Sequence, residues 1–307
     1  MMKNTGIYKF IVILLLLVVV KEAKGQSPTI DEQWWIDMVQ WDGVSHWSEY
    51  QIHSPAYLGP NALPIPVMTD GRVNNVSALT TAGQFHFSKG DNTQNLALYL
   101  NYNFLKDVIS VDLFFIPVEF FQMSHAKKVE RRVYYRFYDV SNATGDAYVN
   151  TTFRVLSEEK NKLDMAIRIG LKSASGGNYN PARFTDTPGY YFDLSVGKAL
   201  GEQRLFRPYA MVGFYSWETN EDVLPQNDAL MYGIGLEYSK GSVSVKNEWT
   251  GYNGYKNNGD KPSVYRLTFS KEYSRLIVGA KYQYGLRDYD YHTIETSIGY
   301  KFYRENK

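Results

Sequence analysis

Cysteine is absent from all 307 residues. That excludes disulfides, thiol catalysis and cysteine-based metal centres. An exported chain of this size without disulfides needs another source of stability, either a large core or a closed hydrogen-bonded barrel. Charge of one sign is equally lacking: 33 Lys and Arg face 32 Asp and Glu. Without a basic excess the composition excludes nucleic acid as a partner. Long apolar runs are missing after the first 20 residues, and LFFIPV (113–118) is among the longest that remain. No stretch beyond the N-terminus therefore has the length and apolarity of a transmembrane helix.

The N-terminus itself reads as a secretory leader. Lys3 and Lys9 form a positive start, Phe10 to Val20 an apolar stretch, and Ala23-Lys24-Gly25 a small-residue cleavage site before Gln26. The expected division is a signal peptide over 1–25, a Trp- and Pro-rich periplasmic segment or plug over 26–76, and a barrel over 77–307. Removing the leader takes four lysines and one glutamate, which moves the net charge from +1 to about −2.

Aromatic residues are plentiful, with 26 Tyr and 16 Phe. Tyrosine favours sites that are dry at one end and wet at the other, such as a bilayer interface. Thr29 and Glu32 fit a helix capping box, and Ile30, Trp34, Trp35, Met38 and Trp41 follow at helical spacing, with Gly43 to end the helix. Pro55, Pro60, Pro64 and Pro66 then predict an extended, irregular stretch. The segment reads as a helix at a barrel mouth, a plug, or a docking element.

From Ala78 onward the hydrophobic pattern has period two. Twelve strands are expected near 78–88, 93–104, 108–121, 146–157, 162–173, 189–199, 205–217, 230–239, 242–252, 263–271, 275–285 and 290–303. In KLDMAIRIGLK (162–172), Leu163, Met165, Ile167, Ile169 and Leu171 share one face, while Asp164, Arg168 and Lys172 share the other. These strands are longer than the usual five or six residues of soluble sheets and match a tilted membrane strand of roughly 9–11. Most connections alternate between tight and long, as in outer-membrane barrels. An even count puts both termini on the periplasmic side. VERRVYYRFYDV (129–140) is read as part of a long external loop, because a thirteenth spanning strand would break that parity.

The leader, the alternating strands and the aromatic-rich last strand TIETSIGYKFY resemble a Gram-negative outer-membrane β-barrel. LGPNALPIP, KSASGGNYNPARFTDTPGYYFDLSVGK and GYNGYKNNGDKP are similar to stretches of uncharacterised exported barrel proteins of Bacteroidetes-type bacteria. Many such barrels end on the aromatic residue, whereas Arg304-Glu305-Asn306-Lys307 follow Tyr303 here. The resemblance implies an all-β, single up-and-down transmembrane barrel of about 12 strands in an outer membrane, surrounded by its lipids.

Alternation then assigns the charged strand residues to the lumen: Arg154, Asp164, Arg168, Lys172, Asp193, Arg207, Glu237, Lys246, Glu248, Arg266, Lys281, Glu295 and Lys301. A Lys or Arg facing lipid at the midplane costs about 2–4 kcal/mol. Centring each hairpin on its turn pairs Arg154 with Asp164, Arg168 with Asp193, Glu248 with Arg266, and Lys281 with Glu295. These rows either rigidify a narrow barrel or line a water-filled pore. The loop 173–189 is a surface loop, or a constriction or ligand loop built on Tyr179, Arg183, Phe184 and Asp186.

Other chemistry is thinly represented. The five histidines do not fall at metal-ligand spacing. His86-Phe87-Ser88, with Asn101 on the next strand, resembles the catalytic row of outer-membrane phospholipase A. In that family the Ser precedes Asn-Gly and the row faces lipid; here Lys89-Gly90 follow, and Phe85 and Phe87 claim the lipid face. The expected function is a passive, porin-like channel for small polar solutes that needs neither catalysis nor a cofactor. The alternatives are a closed barrel that docks a periplasmic or surface protein partner and, further off, a lipid hydrolase.

Overall fold

A computed structural model describes residues 33–133, 140–177, 181–221 and 223–302. The leader, the Thr29–Glu32 capping box, Tyr179 and Tyr303 lie outside the described residues. Twelve antiparallel strands form one closed barrel. They are β1 (Ala78–Ser88), β2 (Asp91–Leu105), β3 (Ile109–Met123), β5 (Ala147–Leu156), β6 (Asp164–Lys172), β7 (Gly189–Gly197), β8 (Phe206–Glu218), β9 (Gln226–Lys240), β10 (Val243–Gly254), β11 (Ser263–Glu272), β12 (Leu276–Arg287) and β13 (His292–Lys301). The ring closes between first and last, from Ala78↔Lys301 to Phe87↔His292. Closure leaves no spanning strand with an unpaired edge, which a bilayer requires.

A further strand, β4 (Val140–Ala143), pairs only with Glu119–Gln122 at the far end of β3. It extends β3 beyond the point where β5 takes over as the neighbour, so the ring keeps its even number. Part of the stretch expected as loop, residues 134–139, falls outside the described residues.

The alternation in sequence becomes inside and outside. On β1, Leu79, Phe85 and Phe87 are exposed on the outer wall, and Ala82, Gln84 and His86 are buried inside. On β6, Ile167, Ile169 and Leu171 face out and Arg168 and Lys172 face in. At Gly170 the missing side chain admits the ring of Tyr191 from the adjacent strand; a Cβ there would fall within that ring.

The two rims differ. One carries the connections 106–108, 157–163, 198–205, 241–242 and 273–275, and 157–163 encloses α3 (Glu158–Asn161). The other carries 124–146, 173–188, 219–225 and 255–262, with two tight turns at 89–90 and 288–291. The loop after β3 holds a short helix, α2 (His125–Glu130), capped by the Ser124 side chain.

Strand parity predicts that both ends of the chain share one rim. β1 starts and β13 ends at the short-turn rim, but the chain before β1 does not stay there. Residues 51–76 run through the lumen from the other rim. At the long-loop rim, Trp217 Nε1 donates to the His53 carbonyl and the Ala56 N–H to the Gly259 carbonyl. Midway, Arg266 and Arg168 reach the carbonyls of Ile65, Pro66 and Val67. At the short-turn rim, Asn103 binds Asn75 and Ser77 just before β1. The earlier segment, with helix α1 (Gln33–Val39) and a 3-10 turn at Trp47–Tyr50, lies among the long loops. Trp35 Nε1 donates to the Arg132 carbonyl, and the Trp34 ring meets His125 edge-on at 5.3 Å. Of the two expected roles for this segment, a periplasmic element or a plug, residues 51–76 take the position of a plug, and residues 33–50 lie at the rim opposite the C-terminal end of β13. Counting strands overlooks a crossing made by chain that belongs to no sheet.

Candidate functional site

The lumen is the site, and it is filled mostly by side chains that bind the inserted segment. Segment carbonyls accept hydrogen bonds from seven wall residues. Trp217 serves His53, Tyr289 serves Pro60, Tyr148 serves Ala62, Tyr252 serves Leu63, Arg266 serves both Ile65 and Pro66, Arg168 serves Val67, and Arg207 serves Asp70. In these bonds the segment only accepts, and every donor is a side chain of the barrel or its rim. Prolines 55, 60, 64 and 66 suit this, because proline has no N–H to leave unsatisfied in a closed space.

Three ionic layers fasten the segment. Near the short-turn rim, Asp70 meets Arg72 at 2.5 Å and Lys246 at 3.1 Å, and Arg72 also meets Glu237 at 2.5 Å. Arg207 bridges Asp164 at 2.7 Å and Glu158 at 3.1 Å. At mid-height, Arg168 pairs with Asp193 at 2.7 Å, and Thr69 donates to Asp193 and to Ser195. On the opposite wall, Lys281 pairs with Glu295 at 2.6 Å, and Gln84 donates to the same carboxylate at 2.5 Å. Toward the long-loop rim, Arg183 binds Asp91 at 2.5 Å and Glu119 at 2.7 Å, Arg131 binds Asp91 at 2.6 Å, and Asn61 donates to Glu119 at 2.7 Å. Asp91, Arg131 and Arg183 are all buried, so each charge depends on its partners. Burial opposes the charge on Arg183, but Asp91 and Glu119 raise its pKa above the ordinary value. At the same rim burial pushes the Asp146 carboxyl up, partly offset by Lys172 at 2.7 Å.

The residues singled out in the sequence are placed as follows. Arg168 and Asp193 face each other, as do Lys281 and Glu295. Glu248 and Arg266 are opposite in register, yet Glu248 accepts from Tyr209 and Arg266 turns to Gln283 and the segment. Lys172 takes Asp146, Glu237 takes Arg72, and Lys246 takes Asp70. Arg154 is a correction: it is exposed, stands opposite Ala166, and does not meet Asp164. Arg154 keeps the parity of the inward residues Tyr148 and Thr152 and is exposed near the strand end, and a bulge between it and Leu156 shifts the register that would have set it against Asp164.

The loop after β6 folds inward, with Arg183 0% and Phe184 1% exposed, while Asp186 is exposed. Tyr179 lies outside the described residues. The hydrolase row is not assembled. The His86 ring nitrogens lie 2.9 Å from Asn95 and 2.8 Å from Thr293, and Ser88 Oγ has no hydrogen-bond partner among the described residues. Asn101 lies toward the other rim, opposite Ala78, and donates to Asp112.

Sequence reading missed Asp70, Arg72, Asp91, Glu119 and Arg131. Glu119 left a signal, a lone charge within IPVEFF, whereas Asp91 and Arg131 read as ordinary loop charges. A cavity of about 1130 Å³ remains beside the segment. Its lining runs from Gly241, Ser242 and Tyr273 at the short-turn rim up to Pro60 and His86, and includes Asp112, Lys246, Lys281 and Glu295.

No family model matches the chain, and neither does any curated protein. Solved structures do. An outer membrane channel from Pseudomonas putida F1 aligns over 77% of this chain and 100% of its own, with a TM-score of 0.52 at 12% identity. The NanC porin aligns over 73% of this chain and 100% of its own, with a TM-score of 0.47 at 8% identity. The likeness to the Pseudomonas channel is one of fold. This chain has the architecture of an outer-membrane β-barrel.

Proposed function

We propose that the protein is an outer-membrane channel for small polar solutes whose lumen is held shut by its own N-terminal segment. The observation that carries this reading is the cradle of seven wall donors on the carbonyls of residues 53–70. Behind the segment the wall is a mixed-charge surface of the kind a polar-solute pore needs, and the near balance of signs argues against strong ion selectivity. The cavity of about 1130 Å³ is the part of that path already open. No cofactor enters this mechanism.

The buried Arg183–Asp91–Arg131 cluster favours a second reading, a permanently closed barrel that serves as an interaction protein. Conductance in planar bilayers separates the two. The intact chain should be silent or open only in brief bursts, and the chain lacking residues 26–76 should conduct steadily. Silence of both favours the closed barrel, and steady conductance of the intact chain removes the plug.

A further inference from the structure

The path of residues 51–76 has a topological consequence. All twelve spanning strands are hydrogen-bonded into the ring, and β1 begins at the short-turn rim. The chain reaches that rim only by passing inside the ring. It enters past Trp217 and Gly259, both at the long-loop rim, and leaves at Gly71. Gly71 has φ +83, and a Cβ there would lie 2.7 Å from the Asp164 carbonyl oxygen and 2.8 Å from the Gly197 nitrogen. The backbone turns there against the lower ends of β6 and β7. Residues 59–73 thus make a thirteenth crossing of the membrane's depth, shielded from lipid by the barrel.

The described chain before that crossing, residues 33–58, belongs to the long-loop side. Helix α1 rests on α2 through Trp34–His125 and Trp35–Arg132, and Trp41 Nε1 closes the following turn on the Ser45 carbonyl. The next stretch is fastened to the loop after β8, where the Asn220 side chain donates to the carbonyls of Ser48 and of Gln51. Val44 and Val223 are each 89% exposed in these two neighbouring stretches.

We propose that Gln33–Tyr50 is displayed on the same side of the membrane as the long loops, opposite the C-terminal end of β13. The long-loop face is then a composite surface, built from the pre-barrel chain and the loops together. In an outer membrane inserted in the usual sense, with long loops outward, that surface is external and the Trp-rich segment is presented to the cell's surroundings. This inference is independent of whether the lumen conducts.

The absence of cysteine means that each introduced cysteine is the one maleimide target on this chain. Three single variants of the full chain are compared in intact cells with a membrane-impermeant maleimide. Val44→Cys reports the displayed segment, Val223→Cys the long-loop face, and Lys160→Cys, exposed on α3, the short-turn face. Val44→Cys and Val223→Cys should label in intact cells, and Lys160→Cys only after the membrane is permeabilised. Co-labelling of Val44→Cys with Lys160→Cys in the permeabilised sample alone overturns the proposal, as does a Val44→Cys population split between the two conditions. Because two variants define the two faces, the result holds whichever way the barrel is inserted, and it can fail while the conductance result stands.

Discussion

Arg168 and Asp193 stand directly opposite each other on β6 and β7, joined at 2.7 Å, and both are buried. Arg168 has a second task, since its other nitrogen donates to the Val67 carbonyl at 2.6 Å. One guanidinium therefore ties barrel wall to wall and wall to inserted segment. Its carboxylate partner also receives Thr69 at 3.1 Å from the segment.

Removing that guanidinium leaves Asp193 buried and uncompensated. Arg168→Ala is expected to cost about 3–5 kcal/mol, the usual effect of breaking a buried ion pair. Arg154→Ala, at an exposed position, should stay within about 0.5 kcal/mol of the parent. The midpoint of the heat-induced mobility shift in detergent gels measures both. Equal midpoints for the two variants would contradict the assignment of Arg168 to the interior.

If residues 59–73 shut the lumen, tying them to the wall should keep it shut. Thr69 Oγ1 and Ser195 Oγ are 2.7 Å apart, close enough for two cysteines to bond after small adjustments. The double variant Thr69→Cys/Ser195→Cys should show no opening bursts when oxidised and regain them on reduction. Identical bilayer records before and after reductant would mean that the segment does not control current.

Much of the barrel was legible in the sequence because each strand is solvated by two different media. Leu79, Phe85 and Phe87 must face lipid, so Gln84 and His86 face inward, and the period of two follows. The same rule located Arg168, Asp193, Lys281 and Glu295, because a charge on the lipid face is costly. Hairpin register, not alternation, misplaced one pair: Arg154 stands opposite Ala166 and not Asp164, because a bulge follows it near the strand end. Alternation could not reach the inserted segment at all. Residues 51–76 carry no periodicity, and their fixing points are mostly backbone carbonyls, which every sequence possesses. The partners of Asp91, joined to Arg131 and Arg183 from two different loops, were invisible for the related reason that nothing local sets loop contacts 40 and 92 positions apart.

Gly71 is where the segment leaves the lumen, and its backbone admits no ordinary side chain without strain. Gly71→Ala adds the unfavourable φ, about 1–3 kcal/mol, to a contact of 2.7 Å with the Asp164 carbonyl oxygen. The lower end of the segment should loosen while the ring keeps its strand pairing. Maleimide labelling of Thr69→Cys should therefore quicken in the Gly71→Ala background, with the heat-induced mobility shift of the barrel retained. Unchanged labelling would show that the turn is not fixed by this contact.

His53 supplies the pH dependence. It lies at the long-loop rim, 2% exposed, where burial first and then the charges of Lys172 and Lys256 lower its pKa from 6.5 to about 4. A released segment would carry an ordinary histidine, which binds a proton at higher pH than the seated one. The seated state therefore has its full advantage above about pH 6.5, loses it progressively as pH falls toward 4, and has none left below. The shift corresponds to at most about 3 kcal/mol. Opening bursts of the intact chain should become more frequent between pH 6.5 and 4, and His53→Gln should flatten that slope. An unaltered slope in His53→Gln would assign the titration to another group.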